Sequence, residues 1–75
     1  MKSKWMVMSN LINGDTEYFA YRILNTDEPD HAGNREIFPR GYIMGSRAKD
    51  LANLLNNITP EQAEVMIRIL KEKLN

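Results

Sequence analysis

Residues 4–24, KWMVMSNLINGDTEYFAYRIL, decide the fold because they contain the strongest hairpin signal in the 75-residue chain. Residues 4–12 are rich in strand formers, and Asn13-Gly14 follows them directly. Asn-Gly favours the two-residue turns of β-hairpins, in which both central residues need positive φ angles. Residues 17–24 then predict the returning strand, so we expect an antiparallel hairpin.

Two registers are open for this hairpin. With a two-residue loop, the cross-strand pairs make both faces of the hairpin apolar. The expected pairs are then Trp5 with Arg22, Val7 with Ala20, Ser9 with Tyr18, Met6 with Tyr21 and Met8 with Phe19. With a three-residue loop, the register shifts by one residue, so the side chains of one strand move to the opposite face relative to those of the other strand. One face would then hold Trp5, Val7, Phe19, Tyr21 and Ile23, and the other Met6, Met8, Ala20 and Arg22.

Beyond the hairpin, the sequence predicts a loop and a weak third strand. Residues 25–36 are dense in Asp, Asn, Pro and Gly and show no periodicity, which is typical of a loop. Residues 37–44 can form a third strand. Because Pro39 cannot donate to a strand ladder and Gly41 weakens one, we expect this strand to be short, broken or at the edge of the sheet.

Two amphipathic helices are predicted to follow. Ser46 is the expected N-cap of the first helix, which should end near Asn56. Its apolar stripe consists of Ala48, Leu51, Ala52 and Leu55. Thr59 is the expected N-cap of the second helix, with Pro60 at the first helical position and Gln62 completing a capping box. Its apolar face is expected to hold Ala63, Met66, Ile67, Leu70 and Leu74.

These elements predict one small α+β domain over residues 1–75, with the element order βββαα. The expected fold is a three-stranded antiparallel sheet, made of the β-hairpin plus the short third strand, followed by two C-terminal helices. A chain of this length buries only about 60% of its unfolded surface, so its core is expected to be thin.

Composition limits the functions open to such a domain. Ten basic and ten acidic side chains cancel, so no overall field attracts nucleic acid or an anionic membrane. With no cysteine and a single histidine, His31, neither a disulfide nor a structural zinc site is expected. Association is then the remaining support for a small core. No apolar run is long enough for a membrane span and residues 1–8 lack the features of a signal peptide, so we expect a cytoplasmic protein.

One polar cluster invites a catalytic interpretation. It consists of Asp27, Glu28, Asp30, His31, Arg35 and Glu36. Carboxylates beside a histidine can bind metal or transfer protons, but this spacing matches no known set of metal ligands. We interpret the cluster as a solvated turn. The sequence therefore predicts no catalytic residue, no metal site, no cofactor and no enzymatic activity.

The hairpin and the last helix carry more apolar side chains than two short helices can cover, which predicts an interaction surface. Its candidate residues are Trp5, Met6, Met8, Tyr18, Arg22, Val65 and Ile69. Alternatively, the loop or a helix covers the second face of the sheet. Val65 and Ile69 would contact the first helix, a second copy or another protein. The leading prediction is a small protein-interaction module, either a homodimer or bound to a protein partner.

The alternative function is a nucleic-acid-binding accessory module. Its contacts would be Lys4, Arg22, Arg35 and Arg40 on the sheet side. A three-stranded sheet followed by a helix is also the layout of the arm-binding domains of tyrosine recombinases. Neighbouring carboxylates in the loop would oppose the approach of phosphates.

Five short motifs lie along the first part of the chain. They are KW-x-V-x-SN at 4–10, YR at 21–22, DHAGNRE at 30–36, GY at 41–42 and LANLLN at 51–56. Together they resemble a group of short uncharacterised bacterial proteins, over about the first 57 residues. The resemblance implies a bacterial, cytosolic origin and no mechanism, and it leaves the last helix as an addition to the shared part.

Overall fold

The computed structural model describes residues 1–74 and has the predicted α+β fold. Its elements are strand β1 (Met6–Ile12), strand β2 (Asp15–Ile23), strand β3 (Arg35–Ile37), helix α1 (Gly45–Asn56) and helix α2 (Pro60–Leu74). The strands form one antiparallel sheet in which β2 is central, with β1 on one side and β3 on the other. The predicted order βββαα is therefore confirmed.

A two-residue turn closes the hairpin and sets its register. Asn13 and Gly14 have φ angles of 52° and 85°, the positive values that a type I′ turn requires at both positions. Across the ladder, Met8 consequently faces Phe19. The first of the two predicted registers is therefore confirmed, and the register shifted by one residue is wrong.

The two faces of the sheet differ in what covers them. We call the face that carries Val7, Ala20 and Phe38 the inner face, because both helices pack on it. Trp5, directly before β1, extends this face and meets the Phe38 ring edge-on, with 6.2 Å between the ring centroids. The buried core between the inner face and the helices consists of Trp5, Ala20, Phe38, Leu51, Ala52, Leu55, Ala63 and Ile67.

The third strand lies earlier in the chain than predicted. We expected it within residues 37–44, but β3 covers only Arg35–Ile37 and so begins inside the predicted loop. Further along, Tyr42 returns to the sheet as an isolated bridge to Tyr18. Pro39, which has no backbone N–H, lies in the interruption. The expected break is confirmed, and the expected bounds are wrong.

The interruption is a bulge that Gly41 makes possible. Between the Ile37 pair and the Tyr42 bridge, the third segment advances by five residues while β2 advances by three. An added Cβ at Gly41 would lie 2.7 Å from the Phe19 ring, closer than a side chain tolerates. The missing side chain therefore lets the backbone pass directly against Phe19.

Helix α1 packs as predicted but begins differently. All four residues of its predicted stripe are buried. Ser46 is not the N-cap, because α1 begins at Gly45 after Met44, and Met44 makes no side-chain capping bond. Gly45 lies against the Tyr18 ring, where an added Cβ would be 3.4 Å from ring atoms. Helix α1 therefore begins where Gly45 packs on the Tyr18 ring of the central strand, without a capping side chain.

Helix α2 begins with the predicted capping box. The Gln62 N–H donates to Thr59 Oγ1 at 3.1 Å, and the Thr59 N–H donates to Gln62 Oε1 at 2.9 Å. Ala63 and Ile67 are buried, and Met66 and Leu70 pack against the core. The side chain of Leu74, also predicted on this face, lies outside the described residues.

The loop after β2 is ordered by one buried side chain, Asn34. Its amide oxygen accepts from the Asn25 N–H at 2.9 Å, and its amide nitrogen donates to the carbonyl oxygens of Asn25 and Pro29 at 2.9 and 3.1 Å. A short 3₁₀ turn, Ala32–Asn34, then leads into β3. The aperiodic segment is thus held by local hydrogen bonds instead of by apolar packing.

The hairpin turn can be tested with Gly14→Ala. We expect a loss of about 1 kcal/mol in the free energy of unfolding, because an L-residue at φ 85° is strained even where space is open. Urea denaturation followed by circular dichroism measures the loss. Gly45→Ala is the matched control, since it adds only an ordinary contact in the first turn of α1 and should leave stability unchanged or slightly raised. Equal losses in both variants would refute the turn's role.

Candidate functional site

The face of the sheet opposite the helices, here called the outer face, is apolar. It holds Met6, Met8, Phe19, Tyr21 and Ile37, which face one another across the strands. Ile37 is exposed and the other four are partly buried, as expected where cross-strand neighbours shield each other. The Arg35 guanidinium lies 5.0 Å from the centre of the Tyr21 ring. Both described helices pack on the inner face, so neither covers this one.

Strand β1 forms an open edge of the sheet. In a hairpin closed by a two-residue turn, alternate residues bond to the neighbouring strand and the others direct their N–H and C=O groups away from it. On β1 the outward residues are Val7, Ser9 and Leu11. Within residues 1–74, their outward backbone groups have no hydrogen-bond partner. Leu11 is also 71% exposed.

Strand β1 lacks the features that protect strand edges, which are short length, charge, proline and bulges. Its seven residues, MVMSNLI, include no charge and no proline, and its ladder with β2 is regular. The opposite edge is protected: β3 has three residues, two of them charged, and Pro39 and a bulge follow it. The sheet therefore has one protected and one unprotected edge.

Asn56, at the end of α1, closes the open edge at one point. Its side-chain oxygen accepts from the Trp5 N–H at 2.7 Å, and its side-chain nitrogen donates to the Trp5 carbonyl oxygen at 3.0 Å. The Asn56 amide thus occupies the place of a neighbouring strand for the outward groups of Trp5. An additional strand can therefore pair with β1 only from Val7 onward.

Two of the predicted surface residues are buried. Trp5 and Arg22 each expose 5% of their surface, so the prediction that they belong to an interaction surface is wrong for this fold. The Arg22 guanidinium lies 4.7 Å from the centre of the Trp5 ring. It binds Glu36 at 2.5 Å and Glu64 at 2.9 Å. These carboxylates, from β3 and α2, compensate the buried charge.

The other five candidate residues lie in three places. Met6 and Met8 are on the outer face. Tyr18 is partly buried beside the start of α1. Val65 and Ile69 are each 46% exposed on α2. The structure does not bring the predicted residues together in one surface.

A groove of about 290 Å³ runs beside α2. It is lined by Phe38, Arg40, Tyr42, Leu51, Met66, Ile69 and Leu70. Its lining is mainly apolar, and Ile69 lies in it whereas Val65 does not. No feature of the described chain indicates what would occupy this groove.

The basic residues of the nucleic-acid alternative do not converge. Arg22 is buried between carboxylates, and Arg35 binds Asp30 at 2.7 Å, a hydrogen bond that raises the pKa of Arg35. Arg40 lies over the Tyr42 ring on the β3 side of the sheet. Lys4 precedes β1, at the opposite edge. These positions form no continuous basic surface.

The polar loop cluster has structural contacts. Asp30 pairs with Arg35, Glu36 pairs with Arg22, and His31 Nδ1 accepts from the Gly33 N–H at 3.1 Å. Over the described residues, no three His, Asp or Glu side chains gather as a potential metal site. Neither helix in the described part of the chain has the length and apolar character needed to cross a bilayer.

Sequence reasoning missed four site residues, which are Val7, Ser9 and Leu11 at the open edge and Asn56 beside it. The uncharged run MVMSNLI was a visible signal for an unprotected strand. Its place at an edge was not visible, because that depends on β3 pairing with β2 instead of β1. The Asn56 bonds join positions 51 residues apart, and no local pattern indicates them.

Comparison of the chain with models of known protein families, with curated proteins and with solved structures finds no match. The resemblance to short bacterial proteins therefore stays a prediction.

The buried arginine can be tested with Glu36→Gln. We expect a loss of about 2 kcal/mol in the free energy of unfolding, because the carboxylate that compensates the buried Arg22 guanidinium is replaced by a neutral amide. Glu64→Gln is the matched control and should cost less than about 1 kcal/mol, since the Glu64 side chain is 44% exposed and solvent screens its charge. Thermal and urea unfolding measure both values. A larger loss for Glu64→Gln would reverse the assigned roles.

Proposed function

We propose that this chain is a small, non-catalytic protein-interaction module that acts as a homodimer in the cytoplasm. The observation that carries the proposal is the open edge of β1, with unpaired backbone groups at Val7, Ser9 and Leu11. A long, uncharged edge strand pairs readily with another strand, and folded proteins usually protect such an edge. Here the protection is absent from β1 and present at β3, which supports a pairing role for β1.

The size of the core also supports association. Three of the eight residues in the core cluster are alanines, each of which buries less apolar area than a large side chain. A single core in a domain below about 80 residues rarely contributes more than about 3–5 kcal/mol, and this chain has no cysteine for a disulfide. Burial of exposed β1 side chains such as Leu11 in a dimer would add to that stability.

A second copy is the partner that this edge fits most directly. Two identical edges supply equal numbers of outward donors and acceptors, and a two-fold axis brings the same patch of each copy into contact. Self-pairing needs no further component. Nucleic-acid binding stays the alternative hypothesis. Lys4 and Arg40 lie at opposite edges of the sheet, and Arg22 and Arg35 are each paired with carboxylates, so their positions do not favour it.

Sedimentation equilibrium or light scattering over a range of concentrations tests the homodimer. We expect a mass near twice the monomer value of 8.7 kDa at high micromolar concentration, decreasing on dilution. The double variant Val65→Asp, Ile69→Asp is the control and should remain dimeric, because both exposed residues lie on α2 and not on β1.

A mass of one chain at every concentration would overturn the homodimer. A dimer that dissociates in the α2 double variant, with helical content unchanged, would move the interface from β1 to α2. Binding of duplex DNA at low salt by the wild-type chain, lost in Lys4→Ala with Arg40→Ala, would favour the nucleic-acid alternative.

A further inference from the structure

We infer that the two copies join through antiparallel pairing of β1 with β1, centred on Ser9, so that two three-stranded sheets become one sheet of six strands. The inference rests on the homodimer proposed above and specifies its geometry. The two-fold axis passes between the two Ser9 residues, perpendicular to the sheet. The inner faces, with their helices, then lie on one side and the outer faces on the other.

The register follows from the backbone groups that are free. An antiparallel pair centred on Ser9 places Ser9 opposite Ser9, and Val7 opposite Leu11 of the second copy. Every outward N–H and C=O of these three residues then has a partner. Because Asn56 already occupies the outward groups of Trp5, pairing stops at Val7.

Neighbouring registers use fewer of these groups. A pair centred on Met8 would place Leu11 opposite Trp5 of the second copy, where the Asn56 amide blocks the edge. A pair centred on Asn10 would place Val7 opposite Asn13, which is in the turn. Each alternative leaves outward groups of β1 without a strand partner, which lowers its stability relative to the Ser9-centred pair.

The side chains agree with this register. On the inner-face side, Leu11 would lie beside Val7 of the second copy, which removes an exposed leucine side chain from water. On the outer face, Met6 would lie beside Ile12. These are apolar pairs between directly opposite residues, the unit that stabilises antiparallel sheets.

Charge complementarity supports a second copy as the occupant. β1 has no charge of its own, but Lys4 precedes it and Asp15 begins β2 beyond the turn. Neither residue has an ion-pair partner among residues 1–74. In the Ser9-centred register, Lys4 of one copy lies opposite Gly14 in the turn of the other, and Asp15 begins the next strand on the same face of the sheet. The two-fold axis repeats this attraction at both ends of the paired strands.

Single-cysteine variants test the register, since the native chain has no cysteine. Opposed residues in a hydrogen-bonded antiparallel pair have Cα atoms about 5.5 Å apart, which a disulfide spans. Ser9→Cys should therefore form a disulfide-linked dimer under mild oxidation, seen by non-reducing electrophoresis. Leu11→Cys is the control. Its two Cα atoms would be offset by four residues, or about 13 Å along the strands, which is too far for a disulfide.

Proline at the same position tests the edge itself. The Ser9 N–H points away from β2, so Ser9→Pro removes a donor from the intermolecular pair without removing one from the hairpin ladder. We expect its dimer dissociation constant to rise by about tenfold or more, with the far-ultraviolet circular dichroism spectrum unchanged. Ser9→Ala keeps the N–H and should dimerise like the wild type.

The outcomes separate this inference from the proposed function. A wild-type chain that stays monomeric overturns both. A wild-type dimer that persists in Ser9→Pro, with no cross-link in Ser9→Cys, overturns only the edge pairing. Efficient cross-linking of Met8→Cys or Asn10→Cys instead of Ser9→Cys overturns the register. Cross-linking of Leu11→Cys as fast as Ser9→Cys identifies random collision and also overturns it.

Discussion

The Asn13-Gly14 turn is the constraint on which the rest of the structure depends. Its two positive φ angles fix a two-residue connection, and that connection fixes the register of β1 against β2. The register places Val7, Ala20 and Arg22 on the face that receives the helices. It also determines which backbone groups of β1 point away from β2. Core composition and edge chemistry are therefore two consequences of one turn.

Arg22 shows how this register joins distant parts of the chain. Its place on the inner face buries a guanidinium against Trp5, and a charge in that position requires compensation. Glu36 and Glu64 supply it from β3 and α2. The ion pairs thus connect the central strand to an edge strand and to the last helix. A residue type that is common at interfaces has become a link within the fold.

Signals contained within a few residues predicted their elements well. The Asn13-Gly14 turn, the Thr59 capping box and the stripe of α1 are of this kind, and each is present in the structure. Features set by distant contacts were missed. The bulge at Pro39 depends on how the chain returns to β2, and the burial of Trp5 depends on a register that the sequence left open. Composition predicted an interaction surface. The Asn56 bonds that limit this surface join residues far apart in the chain, so they were not predictable.

The two edges of the sheet explain why the proposed pairing through β1 would end at two copies. Proline, a bulge and two charged residues make β3 unsuitable for strand addition, whereas β1 is regular and uncharged. Pairing β1 with β1 consumes both open edges in a single symmetric contact and leaves only β3 at the outer limits of the joined sheet. Such an interface is closed and does not propagate into a filament. The outer faces of the two copies would then form one apolar surface of twice the width, and the sheet edges beside it would both be protected.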